Sequence, residues 1–169
     1  MRTTAIKEDS LSCVLRALLR PNRLACLVSL ETGLRISDVL NIKTEQVQRS
    51  NRLTVRDRKT GKSHRVRLTE KLRSELLKIS GKVYIFEGRL NSKKPRTRQA
   101  VWKDLRRVAK AFGLKGGGGV VAPHSFRKTY AVTLRKNGVS LSGIQRALVH
   151  SDPATTMLYA LADELALKD

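Results

Sequence analysis

Cysteine and long apolar runs are both scarce in this chain of 169 residues. The two cysteines, Cys13 and Cys26, lack the CxxC spacing of zinc and redox sites and lie on apolar helical patterns. We therefore predict two buried free thiols rather than a disulfide or metal ligands. No apolar run approaches the ~20 residues of a membrane span, and the first residues lack a signal-peptide hydrophobic region. These absences predict a cytoplasmic protein with no membrane partner.

Acidic residues are also few: 14 Asp and Glu face 35 Lys and Arg, which leaves a formal charge of +21. So large an excess opposes a compact fold unless a polyanion shares the charge. The basic residues recur between apolar residues instead of forming a tail, so they decorate folded elements. Nucleic acid is the predicted partner. An anionic membrane surface is the alternative, and the absence of a span or signal disfavours it.

Phosphate-loop and metal signatures are missing as well. The run KGGGG at residues 115–119 reads as a flexible loop and not as a phosphate-binding loop, because no GK[ST] follows it. The sequence also has no carboxylate cluster of the kind that holds a metal. We therefore expect no cofactor.

The length and the 40% hydrophobic content suit one domain, which we expect to span residues 1–169. Two β patterns, RLTVRD and SHRVRL, flank a turn at Gly61, and KVYIF reads as a further short strand. The sequence thus predicts an α+β, mainly helical domain with a small antiparallel sheet. In the first half of the chain, helical patterns cover residues 9–19, the segment RLACLVSLE up to Gly33, residues 37–40, and a segment that begins after Thr69. In the second half, one helix turns Val101, Leu105, Val108 and Phe112 inward, two more cover residues 125–136 and 140–148, and a last one begins at Pro153.

Polar rings and an arginine gather near the end of the chain. His124 and Arg127 are three residues apart in a first helical turn, where the dipole favours an anion, although a capping His and a surface Arg would read the same way. His150 lies in the loop VHSDP, where an imidazole that bonds the backbone is the simpler reading. Tyr159 lies about 130° from the apolar stripe of its helix, at ~100° per residue. Its hydroxyl is therefore a candidate for a role outside the core.

Basic residues cluster in the hairpin turn, in the loop GRLNSKKPRTR and on the outer side of the helix that follows it. They could form a solvated surface or contact phosphates, and the overall charge favours phosphates. The candidate DNA-binding residues are Arg58, Lys62, Arg96, Arg98, Lys103, Arg106 and Arg107.

Four segments in order resemble the catalytic domain of the tyrosine recombinase, or phage integrase, family. The segment ETGLRISDVLNI resembles the one that carries the family's first catalytic arginine, here Arg35, and RKTGKSHRVRL resembles its hairpin, with the catalytic lysine at Lys59. PHSFRKTYA resembles the H-x-x-R box, and LVHSDPATTMLYA the final box. The resemblance implies the catalytic set Arg35, Lys59, His124, Arg127, His150 and Tyr159.

By this resemblance the protein is a site-specific recombinase or integrase that cleaves and rejoins double-stranded DNA without ATP or metal. The arginines would clamp the phosphate, with the histidines as further donors or proton carriers. Tyr159 would attack to form a 3′-phosphotyrosyl link, and Lys59 would protonate the leaving 5′ oxygen. Self-association on DNA or an accessory DNA-binding protein is the implied mode of assembly.

Two departures from the family pattern accompany the match. Val149 stands where many members have Gly, and only about 20 residues precede the matched region, so we expect a catalytic domain without a separate DNA-clamping domain. Three alternatives stay open: a non-catalytic DNA-binding protein that uses TLRKNGVSLSGIQRAL as a helix-turn-helix, a basic RNA-binding protein, and a type IB topoisomerase-like enzyme.

Overall fold

The computed structural model describes residues 6, 8–56, 61–113 and 121–148. Over these residues the protein is mainly helical, with one two-stranded antiparallel sheet, as predicted. Among the described helices, none is long and apolar enough to cross a bilayer. The elements in order are α1 (Glu8–Ala17), α2 (Arg20–Thr32), α3 (Ile36–Leu40), α4 (Thr44–Arg49), β1 (Arg52–Arg56), β2 (Ser63–Arg67), α5 (Glu70–Leu77), α6 (Arg98–Ala111), α7 (Pro123–Lys136) and α8 (Leu141–Leu148).

Helix α2 runs through the centre of the molecule. Pro21 occupies its first turn, where the missing N–H costs nothing, and Gly33 ends it in a left-handed conformation. Leu24, Cys26 and Val28 are all fully buried, because α2 contacts α1, α3, α5, α6 and α7 on its different sides. A helix that contacts five others fixes the relative positions of its neighbours.

The sheet is a hairpin that buries one side. Its register pairs Arg52 with Arg67 and Val55 with His64. Leu53, Val55 and His64 face the interior, and the alternate residues of both strands are exposed. This alternation follows from the two-residue period of a strand.

The structure departs from the sequence expectations about secondary structure at one predicted strand and at one helix for which no prediction was made. KVYIF is not a strand: Tyr84 forms only an isolated bridge with Lys43, because no extended neighbour continues the ladder. Ile85 and Phe86 are nevertheless buried there. Helix α4 was not foreseen, since within its six residues only Thr44 and Val47 are buried, too few to show a helical period.

Two burial expectations were also wrong. Cys26 is buried, but Cys13 is exposed, because the residues of α1 that pack against the core are Val14 with Leu11 and Leu15. Phe112 is half exposed, since it lies at the C-cap of α6, just beyond the turns that carry Val101, Leu105 and Val108 into the core.

A buried carboxylate holds the α1–α2 connection against α6. Asp104 accepts hydrogen bonds from Leu19 N (2.9 Å) and Asn22 Nδ2 (2.7 Å), and Arg107 Nη2 lies 2.7 Å from its other oxygen. Arg107 also donates to the carbonyl of Ala17 at 2.7 Å. Burial alone would raise the pKa of the Asp104 carboxyl, but the hydrogen bonds from Asn22, Arg107 and Leu19 outweigh it, and the pKa is lowered.

Replacing Asp104 with Asn should lower the free energy of unfolding by about 1–3 kcal/mol, because buried donors lose an acceptor. The depressed pKa also means that the carboxylate stabilises the wild type above the unfolded-state pKa of about 3.9, and that this contribution is lost as pH falls through the folded-state pKa. Urea unfolding between pH 7 and pH 3 measures both effects. Glu45→Gln, at an exposed carboxylate of α4, is the control. Equal stability curves for the two variants would contradict this role.

Candidate active site

The corner between α2 and α3 is fixed by backbone and hydroxyl bonds. Gly33 has φ 70° and donates from its N–H to the Ser29 carbonyl at 2.9 Å, while the Ser29 hydroxyl donates to the Leu34 carbonyl at 2.8 Å. Arg35 follows as the N-cap of α3, and its carbonyl accepts from Asp38 N and Val39 N at 2.8 and 3.0 Å. The backbone of Arg35 is therefore held at this corner.

Arg127 carries its charge into the interior. It projects from the second turn of α7 and is 1% exposed. Its Nη1 donates to the Gly33 carbonyl, and its Nη2 donates to the Leu148 carbonyl at 2.6 Å. These carbonyls lie at the C-terminal ends of α2 and α8, where the helix dipole favours a positive charge. One guanidinium thus joins three helices.

His124 lies in the first turn of α7, directly after Pro123. The Ser125 hydroxyl accepts from Ala122 N at 3.2 Å and Ser125 N donates back to the Ala122 carbonyl, which fixes the start of the helix. Burial, followed by the positive charges of Arg127, Lys128 and Arg35, lowers the pKa of His124 to about 4. The imidazole is therefore neutral at pH 7.

A cleft of about 570 Å³ brings the described members of the predicted catalytic set together. Arg35, His124 and Arg127 all line it, so the two arginines lie on the same side of the molecule. Ser37, Arg98, Gln99 and Trp102 also contribute to the wall. The arrangement presents positive charge and hydrogen-bond donors to one concave site, which suits a phosphate.

The other half of the predicted set lies outside the described residues: Lys59, His150 and Tyr159, together with the DNA-binding candidate Arg58. Their roles stay predictions. The described chain leads up to two of them in sequence: Lys59 lies between the end of β1 and the start of β2, and Leu148, whose carbonyl binds Arg127, comes two residues before His150.

The predicted DNA-binding residues fall into two groups. Arg98, Lys103 and Arg106 are exposed on α6, and Lys62 is exposed just before β2. Arg96 and Arg107 instead contact the protein itself: Arg96 Nε lies 2.6 Å from Asn22 Oδ1, and Arg107 binds Asp104 and Ala17. DNA contacts by the exposed residues remain a proposal. Arg96 and Arg107 also bind other parts of the protein and thereby support the fold.

His64 is a site residue that the sequence reasoning missed. It is 4% exposed on the inner side of β2. Burial lowers its pKa, and the charges of Arg127 and Arg35 lower it further while Asp38 opposes them. His64 therefore belongs to the surroundings of the two arginines. The strict alternation of SHRVRL already places it on the side of Val66, which could have revealed it.

Trp102 was also missed. It is the only tryptophan of the chain and is 42% exposed at the rim of the cleft. The Arg106 guanidinium carbon lies 5.1 Å from the centre of its ring, in cation–π geometry. An aromatic residue on the basic side of an amphipathic helix, away from Val101 and Leu105, was the available signal.

The chain belongs to the phage integrase family, whose model matches residues 4–165. A probable integrase/recombinase, YoeC, of Bacillus subtilis is 30% identical over 139 residues, which cover 80% of this chain and 74% of that protein. The tyrosine recombinase XerA of Pyrococcus furiosus is 29% identical over 155 residues, which cover 88% and 52%. The chain thus spans about half the length of XerA and three quarters of YoeC.

Solved structures show the same fold. The crystal structure of XerA recombinase superposes with a TM-score of 0.76 at 22% identity, over 99% of this chain and 62% of that one. A lambda integrase dimer bound to a COC′ core site gives a TM-score of 0.77 at 22% identity, over 95% and 48%.

Gly33→Ala should destabilise the protein and displace Arg35. A Cβ at Gly33 would lie 2.6 Å from two Tyr130 ring atoms and 3.0 Å from Leu148 Cδ2, in addition to the strain of φ +70°. We expect a loss of about 2–5 kcal/mol in the free energy of unfolding, from ~1–2 for the left-handed backbone and ~1–3 for overpacking. Denaturant unfolding measures it.

Gly138→Ala is the matched control, because Gly138 has φ +80° and nothing within 4 Å of the added Cβ. It should show the backbone strain alone. If the two alanine variants lose the same stability, the contact of Gly33 with Tyr130 and Leu148 does not constrain the corner.

Proposed function

We propose that this chain is the catalytic part of a site-specific tyrosine recombinase that cleaves and rejoins double-stranded DNA. The observation that carries the proposal is that Arg35, His124 and Arg127, which come from two distant segments, line one cleft. Family membership supports the same chemistry. The DNA of a bacterial or archaeal cell, or of a phage or plasmid within it, is the proposed substrate, which implies action in the cytoplasm.

Arg35 and Arg127 would bind the non-bridging oxygens of the scissile phosphate. Charge accumulates on these oxygens as a fifth oxygen approaches phosphorus, and fixed guanidinium groups stabilise it without reorganisation. Arg127 meets this condition, because carbonyls at the ends of α2 and α8 hold its plane before DNA arrives. A mobile surface arginine would lose that advantage.

His124 would act as a donor to the phosphate or as a proton carrier. Its neutral state at pH 7 leaves one ring nitrogen able to donate and the other able to accept. An incoming phosphate would partly cancel the positive charges of Arg35 and Arg127, and would therefore raise the His124 pKa. DNA binding and protonation of this ring should be coupled.

Tyr159 is the proposed nucleophile and Lys59 the proposed general acid. The Tyr159 hydroxyl would give its proton to a histidine of the site, the proton carrier, as its oxygen bonds to phosphorus. The bond from phosphorus to the 5′ oxygen would break, and that oxygen would take a proton from Lys59. His150 would assist as a further donor. The 3′-phosphotyrosyl link keeps the energy of the phosphodiester, so the reverse attack by a 5′ hydroxyl needs neither ATP nor a metal ion.

Assembly on DNA is the remaining part of the proposal. The lambda integrase neighbour is described as a dimer bound to its core site. We propose that this chain likewise self-associates on DNA, or acts with an accessory DNA-binding protein. Either arrangement adds phosphate contacts in the same complex and raises the affinity through effective concentration.

Tyr159→Phe should abolish the covalent adduct with a nicked suicide duplex and leave DNA affinity unchanged, because only one hydroxyl is removed. Denaturing gels measure the adduct, and anisotropy measures the affinity. Tyr84→Phe removes a hydroxyl from a described residue outside the cleft lining and serves as the control. If the wild type forms no adduct on any duplex, the chain is a DNA-binding protein without this chemistry. Relaxation of a supercoiled plasmid without strand exchange would favour the topoisomerase-like alternative.

DNA binding should be accompanied by proton uptake at His124 between about pH 4 and pH 6.5. The lower limit is the His124 pKa in the free protein, and the upper limit is the pKa of an ordinary histidine. A phosphate that raises the pKa into this interval makes binding tighter as pH falls. Calorimetry in two buffers with different ionisation enthalpies measures the uptake. His124→Gln should reduce it by a measurable fraction of a proton. Unchanged uptake in this variant would show that His124 does not face the phosphate.

A further inference from the structure

The outer side of the β1–β2 hairpin carries a surface that the proposed chemistry does not use. Its exposed residues are Arg52, Thr54 and Arg56 on β1 and Ser63, Arg65 and Arg67 on β2, together named the arginine face. We propose that the arginine face binds the phosphate backbone of DNA outside the active-site cleft. The proposal rests on DNA being the substrate and adds a second, separate phosphate-binding surface.

The composition of the arginine face suits phosphate. Four of its six side chains are guanidinium groups and the other two are hydroxyls, so every one can donate a hydrogen bond and none is acidic or apolar. The strand period places all six on one side of the sheet. Guanidinium groups bind phosphate oxygens in pairs, and hydroxyls add single bonds.

The cross-strand register leaves like charges opposed. Arg52 lies directly opposite Arg67, and like charges directly opposite each other destabilise a hairpin. Within the described residues, no carboxylate forms an ion pair with Arg52, Arg65 or Arg67. An anion on this surface would relieve the repulsion.

Other arginines of the protein show that this is not a general consequence of its charge. Arg20 pairs with Glu75 at 3.0 Å, Arg73 with Glu70 at 3.3 Å, and Arg107 with Asp104 at 2.7 Å. Among the described residues, carboxylates thus pair with some arginines and not with Arg52, Arg65 or Arg67. In this part of the chain the hairpin concentrates positive charge without a carboxylate partner.

The position of the hairpin separates this surface from the cleft. The buried side of β2 carries His64, whose pKa responds to Arg127 and Arg35, so that side looks towards the catalytic arginines. The arginine face looks the opposite way. The phosphates that it meets are therefore different from the one in the cleft, and they belong to flanking backbone of the same duplex or to a second duplex.

The test compares two triple variants of equal charge. Arg52→Gln/Arg65→Gln/Arg67→Gln removes the arginine face, while Arg56 is kept because its Nε bonds the Gly61 carbonyl at 3.2 Å. Arg16→Gln/Arg49→Gln/Lys71→Gln is the control, at three exposed basic residues of α1, α4 and α5. Adduct formation at saturating protein on a nicked duplex reports the cleft alone, and both variants should retain it.

The first arm measures affinity for a single duplex over a range of salt. Each lost phosphate contact reduces the slope of log K against log salt by about 0.9, so loss of three contacts reduces it by roughly 2–3. This reduction in the hairpin variant, with the control unchanged in slope, assigns the surface to flanking backbone.

The second arm measures retention of a labelled duplex by protein bound to an immobilised duplex. Retention that falls at least tenfold in the hairpin variant, with an unchanged salt slope, assigns the surface to a second duplex. If the hairpin variant matches the control in both arms, the proposal is overturned. This result is expected if the arginine face binds an acidic protein instead of DNA. Failure of wild-type protein to form adduct contradicts the proposed function and leaves these binding arms to decide the arginine face separately.

Discussion

The buried guanidinium of Arg127 is the interaction on which the rest of the site depends. Its bonds to the carbonyls of Gly33 and Leu148 connect the corner that carries Arg35 to the end of α8. Burying a charge is costly unless it is well bonded, and a buried charge that loses its partners is strongly destabilising. The carbonyls at two helix ends supply partners of this kind. A carbonyl dipole stabilises the arginine and leaves its net positive charge in place for a phosphate.

The same positive charge sets the state of the nearby rings. His124 and His64 both have lowered pKa values, chiefly through burial and then through Arg127 and Arg35. Protonating either ring would place another cation beside these arginines, so both stay neutral in the free protein. An anion in the cleft reverses this balance, which ties proton uptake to DNA binding. Replacement of Arg127 would therefore not separate a catalytic role from a structural one. It would remove the proposed phosphate contact, the bonds to two helix ends and the positive charge beside both histidines at once.

Sequence reasoning predicted the fold class, most helices, the hairpin and the convergence of Arg35, His124 and Arg127. The fold class, the helices and the hairpin follow from hydrophobic period, which is a local signal, whereas the convergence of the three site residues was implied by the family resemblance. It failed where tertiary contacts decide: Ile85 and Phe86 are buried without forming a strand, and Cys13 faces outwards on an amphipathic helix. His64 was missed because its importance comes from neighbours far away in sequence. The catalytic roles of Lys59, His150 and Tyr159 rest on the family resemblance alone, because these three residues lie outside the described part of the chain.

The distribution of charge links stability to function. Inside the molecule, Asp104 is surrounded by Leu19, Asn22 and Arg107 and helps to hold the helices together, so the few acidic residues serve the fold where they occur in its interior. In the hairpin, by contrast, positive charges lie side by side: Arg52 and Arg67 are opposite each other, and neither has a carboxylate partner among the described residues. A chain with a formal charge of +21 folds against its own repulsion, and the regions left unneutralised are the ones where an external polyanion lowers the free energy most. DNA is therefore expected to stabilise the hairpin and the cleft more than it stabilises the α1–α2–α6 interior.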